Sequence, residues 1–236
     1  KWRLKMLSNQ TTEGELEIAA TKNKGAELAL AYWYAKQNRY QQAADIIKKL
    51  KANTAIASAA DKVSFEILLA ITESQIAGLQ GQWQVSEKVL MPYYRLYPER
   101  RDVKLLLADS WLQLGKYNEV IAMVKPLVQS RPHDLESLYR LQRAYELMAI
   151  SPNISTTSNA DTVLVKNIAS VNALRYRAKG ELWRGKYTDS LVSLQQAKKQ
   201  VEDLSSQSNA AFNPKPLLAN INNEMAEVKT ARDFRP

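Results

Sequence analysis

A spacing of 34 residues recurs in the middle of this chain. Three residue types repeat at matched places, a glycine, an aromatic residue two positions later and a proline: Gly81, Trp83 and Pro98, then Gly115, Tyr117 and Pro132. Repetition at this period is typical of helical arrays, in which each unit buries its apolar side against its neighbours. The chain is therefore predicted to form a solenoid of helical hairpins rather than a single closed core.

Each repeated residue type has a physical reason for its place. Glycine suits a turn between two antiparallel helices, because the backbone there is left-handed or crowded. Proline lacks an amide hydrogen and clashes with the preceding turn, so it ends the second helix. Two further turns are predicted at Asn38-Arg39-Tyr40 and Gly185-Lys186-Tyr187, since asparagine also tolerates the left-handed conformation.

These residues at these spacings resemble the tetratricopeptide repeat. The resemblance implies an all-α fold, a right-handed α-solenoid of antiparallel helical hairpins with a C-terminal capping helix. We expect a lead-in segment at 1–23, helical repeats at 24–204 with a loop insertion at 150–160, and a loop with the capping helix at 205–236. The 43 residues from Asn38 to Gly81 exceed one period, which predicts a longer connection at 52–62 or a longer helix at 59–77.

Composition narrows the possible functions. The formal net charge is +9, but lysine and arginine are mixed with acidic residues and form no block, so we predict a solvated basic surface and no nucleic-acid binding. The absence of cysteine excludes disulfides and thiolate metal sites. No apolar run approaches the roughly 18 residues of a membrane span, which predicts a soluble protein. The first residue, Lys1, leads us to expect a fragment or a processed product.

No motif in the chain supports catalysis. His133 is the single histidine, whereas a zinc hydrolase needs a cluster such as H-E-x-x-H. Phosphate-binding loops, nucleophile elbows and dinucleotide-binding glycine motifs are absent. Carboxylate pairs such as Asp102 with Asp109 are interpreted as ordinary surface groups of helices. The chain is therefore predicted to be no enzyme and to hold no cofactor.

A binding groove is the remaining candidate site. In tetratricopeptide arrays the first helix of each hairpin lines the concave face, and residues one turn apart point into it. The repeat register places Ile71 there, and the candidate groove residues are Tyr32, Lys36, Gln75, Asp109, Gln113, Tyr139, Arg143, Arg175 and Lys179. Its basic C-terminal half could bind peptide carboxylates. The alternative is that these are ordinary residues of solvated helices.

The aromatic residues divide into two groups. Trp83, Trp111, Tyr117 and Tyr187 fall at packing positions of the repeat and are predicted to lie in the core, whereas Trp33 and Trp183 are left open. The clamp for acidic chaperone tails uses lysine and asparagine one turn apart, but Leu28 and Tyr32 stand at the matching positions. That class of partner is not expected.

A narrower resemblance comes from three runs, 138–145, 173–178 and 182–187, which read LYRLQRAY, ALRYRA and LWRGKY. They resemble the C-terminal repeats of bacterial periplasmic zinc metallopeptidases of the barrel-assembly-enhancing type. The resemblance implies a periplasmic docking domain for outer-membrane barrel proteins or their assembly machinery. Zinc is expected in the protease domain of the parent, since that family's zinc ligands and catalytic glutamate match nothing here. The alternative is a free-standing tetratricopeptide scaffold or assembly factor.

Overall fold

A computed structural model describes residues 23–52, 59–152, 159–207 and 212–234. Within these residues the backbone is all-α, with ten helices and no β-strand. The helices are α1 (Lys24–Lys36), α2 (Tyr40–Ala52), α3 (Ala59–Leu79), α4 (Trp83–Leu96), α5 (Arg101–Gln113), α6 (Tyr117–Ser130), α7 (Leu135–Ile150), α8 (Asn159–Trp183), α9 (Tyr187–Gln207) and α10 (Lys215–Asp233). The predicted fold class is confirmed at this level. The lead-in segment, apart from Asn23, and the centre of the 150–160 insertion lie outside the described residues.

The four predicted turns all have the same backbone conformation. Asn38 has φ 59°, and the three turn glycines have φ 70°, 74° and 74°: Gly81, Gly115 and Gly185. One residue further on, the backbone N–H bonds to the carbonyl five residues earlier, at 2.8–2.9 Å in every copy. This bond satisfies a carbonyl that the end of a helix leaves unpaired. The prediction that these positions require a left-handed residue is confirmed.

Small buried residues flank each turn at two matched positions. The residues seven before and five after the turn residue are at most 2 % exposed in all four copies: Ala31 and Ala43, Ser74 and Ser86, Ala108 and Val120, Ala178 and Ser190. In the fourth copy Ser190 Oγ donates to the carbonyl oxygen of Ala178 at 2.8 Å. Small side chains at these positions allow the two helices beside a turn to approach closely.

The chain divides into two compact units, Lys1–Ser110 and Trp111–Pro236. In the first unit α1 packs against α2 and α3, and α3 packs against α4. Its core is mainly aliphatic, with Leu28, Ala31 and Ile47 among its buried members, and also contains Tyr34. A chain of three buried hydroxyls runs from Ser74 to Ser86 and on to Ser110, with Oγ–Oγ distances of 2.7 and 2.6 Å.

In the second unit α7 packs against α8, α8 against α9, and α9 against α10. Helix α7 begins after Asp134, whose carboxylate accepts hydrogen bonds from the backbone N–H and the hydroxyl of Ser137 at 3.2 and 2.7 Å. Helix α10 begins after Pro214 and buries Ile221 and Val228 in the core formed with α8 and α9. It therefore covers apolar surface of its unit, as expected of a terminal helix.

Several local expectations need correction or refinement. The loop predicted from Ser205 is wrong at its start, because α9 continues to Gln207. The extra residues before Gly81 lengthen a helix, since α3 has 21 residues and α1 has 13. Of the four aromatic residues predicted in the core, Trp111 is buried and the other three are half-buried. Trp83 lies over Gly78, where a Cβ would come within 3.0 Å of its ring.

Candidate functional site

The predicted groove residues of the first unit differ in their exposure to solvent. Tyr32 is half-buried against the core, and Lys36 is exposed in the last turn of α1. Gln75 on α3 and Asp109 on α5 are half-buried. Ile71 is only 1 % exposed, so its placement in the groove is wrong, and it belongs to the core.

In the second unit, α7 presents two of the predicted residues to solvent. Tyr139 is 57 % exposed, which is high for an aromatic side chain, and Arg143 is also exposed. The Arg143 guanidinium donates to Glu146 Oε2 at 3.1 Å, one turn further along the helix. Gln113, at the end of α5, is exposed as well. Tyr139 offers a larger apolar surface to a partner than Arg143, Glu146 or Gln113.

The two basic residues predicted on α8 share a carboxylate of the same unit. Arg175 donates to both oxygens of Glu224 on α10, from Nε at 2.9 Å and from Nη2 at 2.8 Å. Lys179 Nζ lies 3.3 Å from Glu224 Oε1. Burial by itself would lower the pKa of Arg175, but the hydrogen bonds and charge of Glu224 raise it. The Arg175 guanidinium, which was predicted to bind a peptide carboxylate, therefore binds the Glu224 carboxylate of α10.

Beside this ion pair, two tyrosines join α7 to α8. The rings of Tyr145 and Tyr176 stack with centroids 5.6 Å apart and planes inclined by 6°. Burial, reinforced by the neighbouring phenol, raises the pKa of Tyr145 to about 12. Burial likewise raises the pKa of Tyr176, and Lys179 Nζ lies 5.6 Å from the centroid of its ring. Both phenols are therefore neutral near pH 7.

A cleft of about 530 Å³ opens where α7, α8 and α9 meet, within the second unit. The wall formed by α7 and α8 includes four apolar residues, Ala149, Ile150, Ala173 and Leu174. The wall formed by α9 is polar, with Gln196, Lys199, Gln200 and Asp203. Its volume lies within the range of about 300–1,000 Å³ that is usual for ligand pockets.

Two further charged residues line the cleft, and both are neutralised by neighbours. Glu146 accepts from Arg143 and from Gln142 Nε2 at 2.7 Å. Arg177 Nε donates to Glu181 Oε1 at 2.9 Å, and the nearly buried Glu181 also accepts from Ser193 Oγ at 2.8 Å. By contrast, Lys199 and Asp203 form no salt bridge with any residue that the structure describes.

The cleft was not predicted from the sequence, which placed candidate residues on the first helix of each pair only. A signal existed, because positions 196, 199, 200 and 203 lie on one face of a helix. Charge pattern alone could not distinguish this face from a solvated one. The ring of His133, the single histidine, lies 3.8 Å, centroid to centroid, from that of Trp183. Among the described residues no group of histidine and acidic side chains could hold a metal ion.

The described helices include none that combines the length and apolar character of a membrane span. Comparisons of the chain with protein-family models, with curated proteins and with solved structures gave no match. The function is therefore argued from the repeats, the surface and the cleft.

Proposed function

We propose that this chain is a protein-binding domain built as a right-handed solenoid of antiparallel helical hairpins. The observation that carries the proposal is the fourfold recurrence of one turn, with a left-handed residue, an identical helix-ending hydrogen bond and two buried small residues. Arrays of such units present extended surfaces on which other proteins dock. The chain itself has no catalytic role in this proposal.

The surface around Tyr139 is the docking face that the second unit offers. A tyrosine that is 57 % exposed on a helix contributes a flat, rigid contact at small entropic cost. Arg143 lies one turn away and supplies a guanidinium at the same surface. Because Glu224 holds Arg175 and Lys179, we assign them to the internal structure of the unit and give the docking role to α7.

We also propose that the parent protein is a periplasmic zinc metallopeptidase active in outer-membrane protein assembly or quality control. The support is the resemblance of the runs at 138–145, 173–178 and 182–187 to the C-terminal repeats of that family. Reading the gene upstream of Lys1 tests this part. An H-E-x-x-H helix there would support it, and its absence would favour a free-standing scaffold.

The docking role is tested by photo-crosslinking with benzoylphenylalanine. The analogue is introduced at Tyr139 and, as a matched control, at Phe234, an aromatic residue directly after α10 that is 83 % exposed. Each variant is incubated with a bacterial envelope extract, and its adducts are identified by mass spectrometry. We expect a barrel protein or a component of its assembly machinery at position 139 and not at 234. The same adducts at both positions, or only cytoplasmic proteins, would contradict the proposal.

A further inference from the structure

We propose that the cleft between α7, α8 and α9 binds an extended peptide segment in which an apolar residue lies between an acidic and a basic one. The inference rests on the protein-binding function proposed above and adds a site and a ligand chemistry to it. Its evidence is the arrangement of charge, apolar surface and amide groups around the cleft.

Two residues of opposite charge lie on the α9 side of the cleft. Lys199 and Asp203 line the same cleft and stand four residues apart on α9, which places their backbones about 6 Å apart along the helix. In an extended chain, side chains on one face recur every two residues, at about 6.6 Å. An extended segment that runs along α9 would therefore place alternate side chains opposite these two residues. An acidic side chain matches Lys199, and a basic one matches Asp203.

The apolar wall then receives the residue between them. Successive side chains of an extended chain point to opposite sides, so the middle residue faces away from α9. The lining contributed by α8 and α7 includes Ala173, Leu174 and Ile150, of which Ile150 is 74 % exposed. Covering Ile150 with a ligand side chain would remove apolar surface from water.

Amide groups in the polar wall are suited to the backbone of such a segment. Ser170 Oγ donates to Gln200 Oε1 at 3.1 Å, which directs the NH₂ group of Gln200 away from that bond. Gln196 lies one turn earlier and is exposed. An extended peptide carries free N–H and C=O groups that need partners when they leave water. Glutamine side chains supply both donors and acceptors for them.

Lys199 and Asp203 therefore set the charge preference of the cleft. Glu146 and Arg177, the other charged residues of the lining, are held by Arg143 and Glu181. A cleft of about 530 Å³ accommodates a short linear segment and not the surface of a folded domain. The proposed occupant is therefore a short extended stretch of chain that lies outside any folded core.

The test is a fluorescence-anisotropy titration of the full chain against short labelled peptides. The probes carry a central Glu-Leu-Lys or its reverse Lys-Leu-Glu, and the comparison peptides carry serine in place of leucine or lysine in place of glutamate. We expect Lys199→Glu to weaken the binding of one of the two charged probes, Glu-Leu-Lys or Lys-Leu-Glu, by about three- to tenfold. The reason is that the exposed pair between position 199 and the peptide glutamate changes from attractive to repulsive. A peptide with lysine in place of glutamate should recover that affinity. Lys229→Glu, which changes an exposed lysine of α10 outside the cleft, is the matched control.

The outcomes separate this inference from the function on which it rests. Peptide binding that is indifferent to Lys199→Glu and to Asp203→Lys would overturn the cleft assignment and leave protein binding standing. The same holds if Tyr139 crosslinks to a partner and no peptide binds. Absence of both peptide binding and crosslinks would overturn both proposals. Circular dichroism of each variant establishes that it is folded.

Discussion

The buried hydroxyl chain of the first unit yields a sharp prediction, because each serine has a single proton to donate. Ser110 Oγ donates to the carbonyl oxygen of Leu106 at 3.1 Å. The proton in the bond between Ser86 and Ser110 must therefore come from Ser86, and the one in the bond between Ser74 and Ser86 from Ser74. The three hydroxyls form a directed chain that links α3, α4 and α5.

Replacing the middle residue, Ser86→Ala, leaves the Ser74 hydroxyl without its acceptor in a site that is 2 % exposed. A buried donor without a partner costs about 1–3 kcal/mol, so we expect the free energy of unfolding to fall by that amount. Replacing all three serines by alanine removes the three hydroxyls together, so no hydroxyl of the chain is left without its partner. That triple variant should be more stable than Ser86→Ala alone, since removing both members of a bond is nearly neutral.

The assay is urea unfolding followed by circular dichroism, with the wild-type chain and both variants measured at the same pH. A distinct transition for each unit would be fitted separately, because the substitutions lie in the first. A triple variant that loses about three times as much stability as Ser86→Ala would refute the reasoning, since it would show independent contributions of the three hydroxyls.

Three further predictions concern the turns, the tyrosine pair and the last helix. Gly115→Ala should destabilise the chain by about 1–2 kcal/mol although nothing lies within 4 Å of the added Cβ, because φ is 74° there. Gly180→Ala is a control within a helix, where the added Cβ would lie 3.4 Å from the Arg184 guanidinium. In thermal melts this variant should be as stable as the wild-type chain or more stable. Burial raises the pKa of Tyr145 in the folded state to about 12, above its ordinary value of 10, so its contribution to the free energy of unfolding is complete below pH 10 and should be lost as the pH rises towards 12. Unfolding measured across that range should show a shallower loss of stability for Tyr145→Phe than for the wild-type chain. Glu224→Ala should cost about 2 kcal/mol by leaving Arg175 without its carboxylate, and a double-mutant cycle of Glu224 with Arg175 should return a coupling of similar size.

The sequence predicted the parts of this fold that depend on local backbone chemistry. A left-handed turn residue excludes most side chains, so glycine or asparagine at positions 38, 81, 115 and 185 was visible without coordinates. The bidentate pair of Arg175 and Glu224 joins residues 49 apart in the chain and leaves no such trace. Ile71 was misplaced because the repeat register was extended by spacing alone, without regard to the apolar side chain that the core requires.

The cleft lies where the 34-residue spacing of the turns is interrupted, since Ala149 and Ile150 line it. One period after Gly115 falls at Ala149, where the next turn would be expected, but neither glycine nor asparagine stands there, and α7 ends at Ile150 with Ser151 in an extended conformation. Among the described residues the next left-handed turn is at Gly185, 70 residues after Gly115, and the described helices between the two turns are α6, α7 and α8. Helix α8 has 25 residues and packs directly on α7. The cleft is bordered by the end of α7, the middle of α8 and the polar face of α9. A departure from local regularity that the fold tolerates is often where function lies, and here it coincides with a pair of opposite charges that form no salt bridge among the described residues.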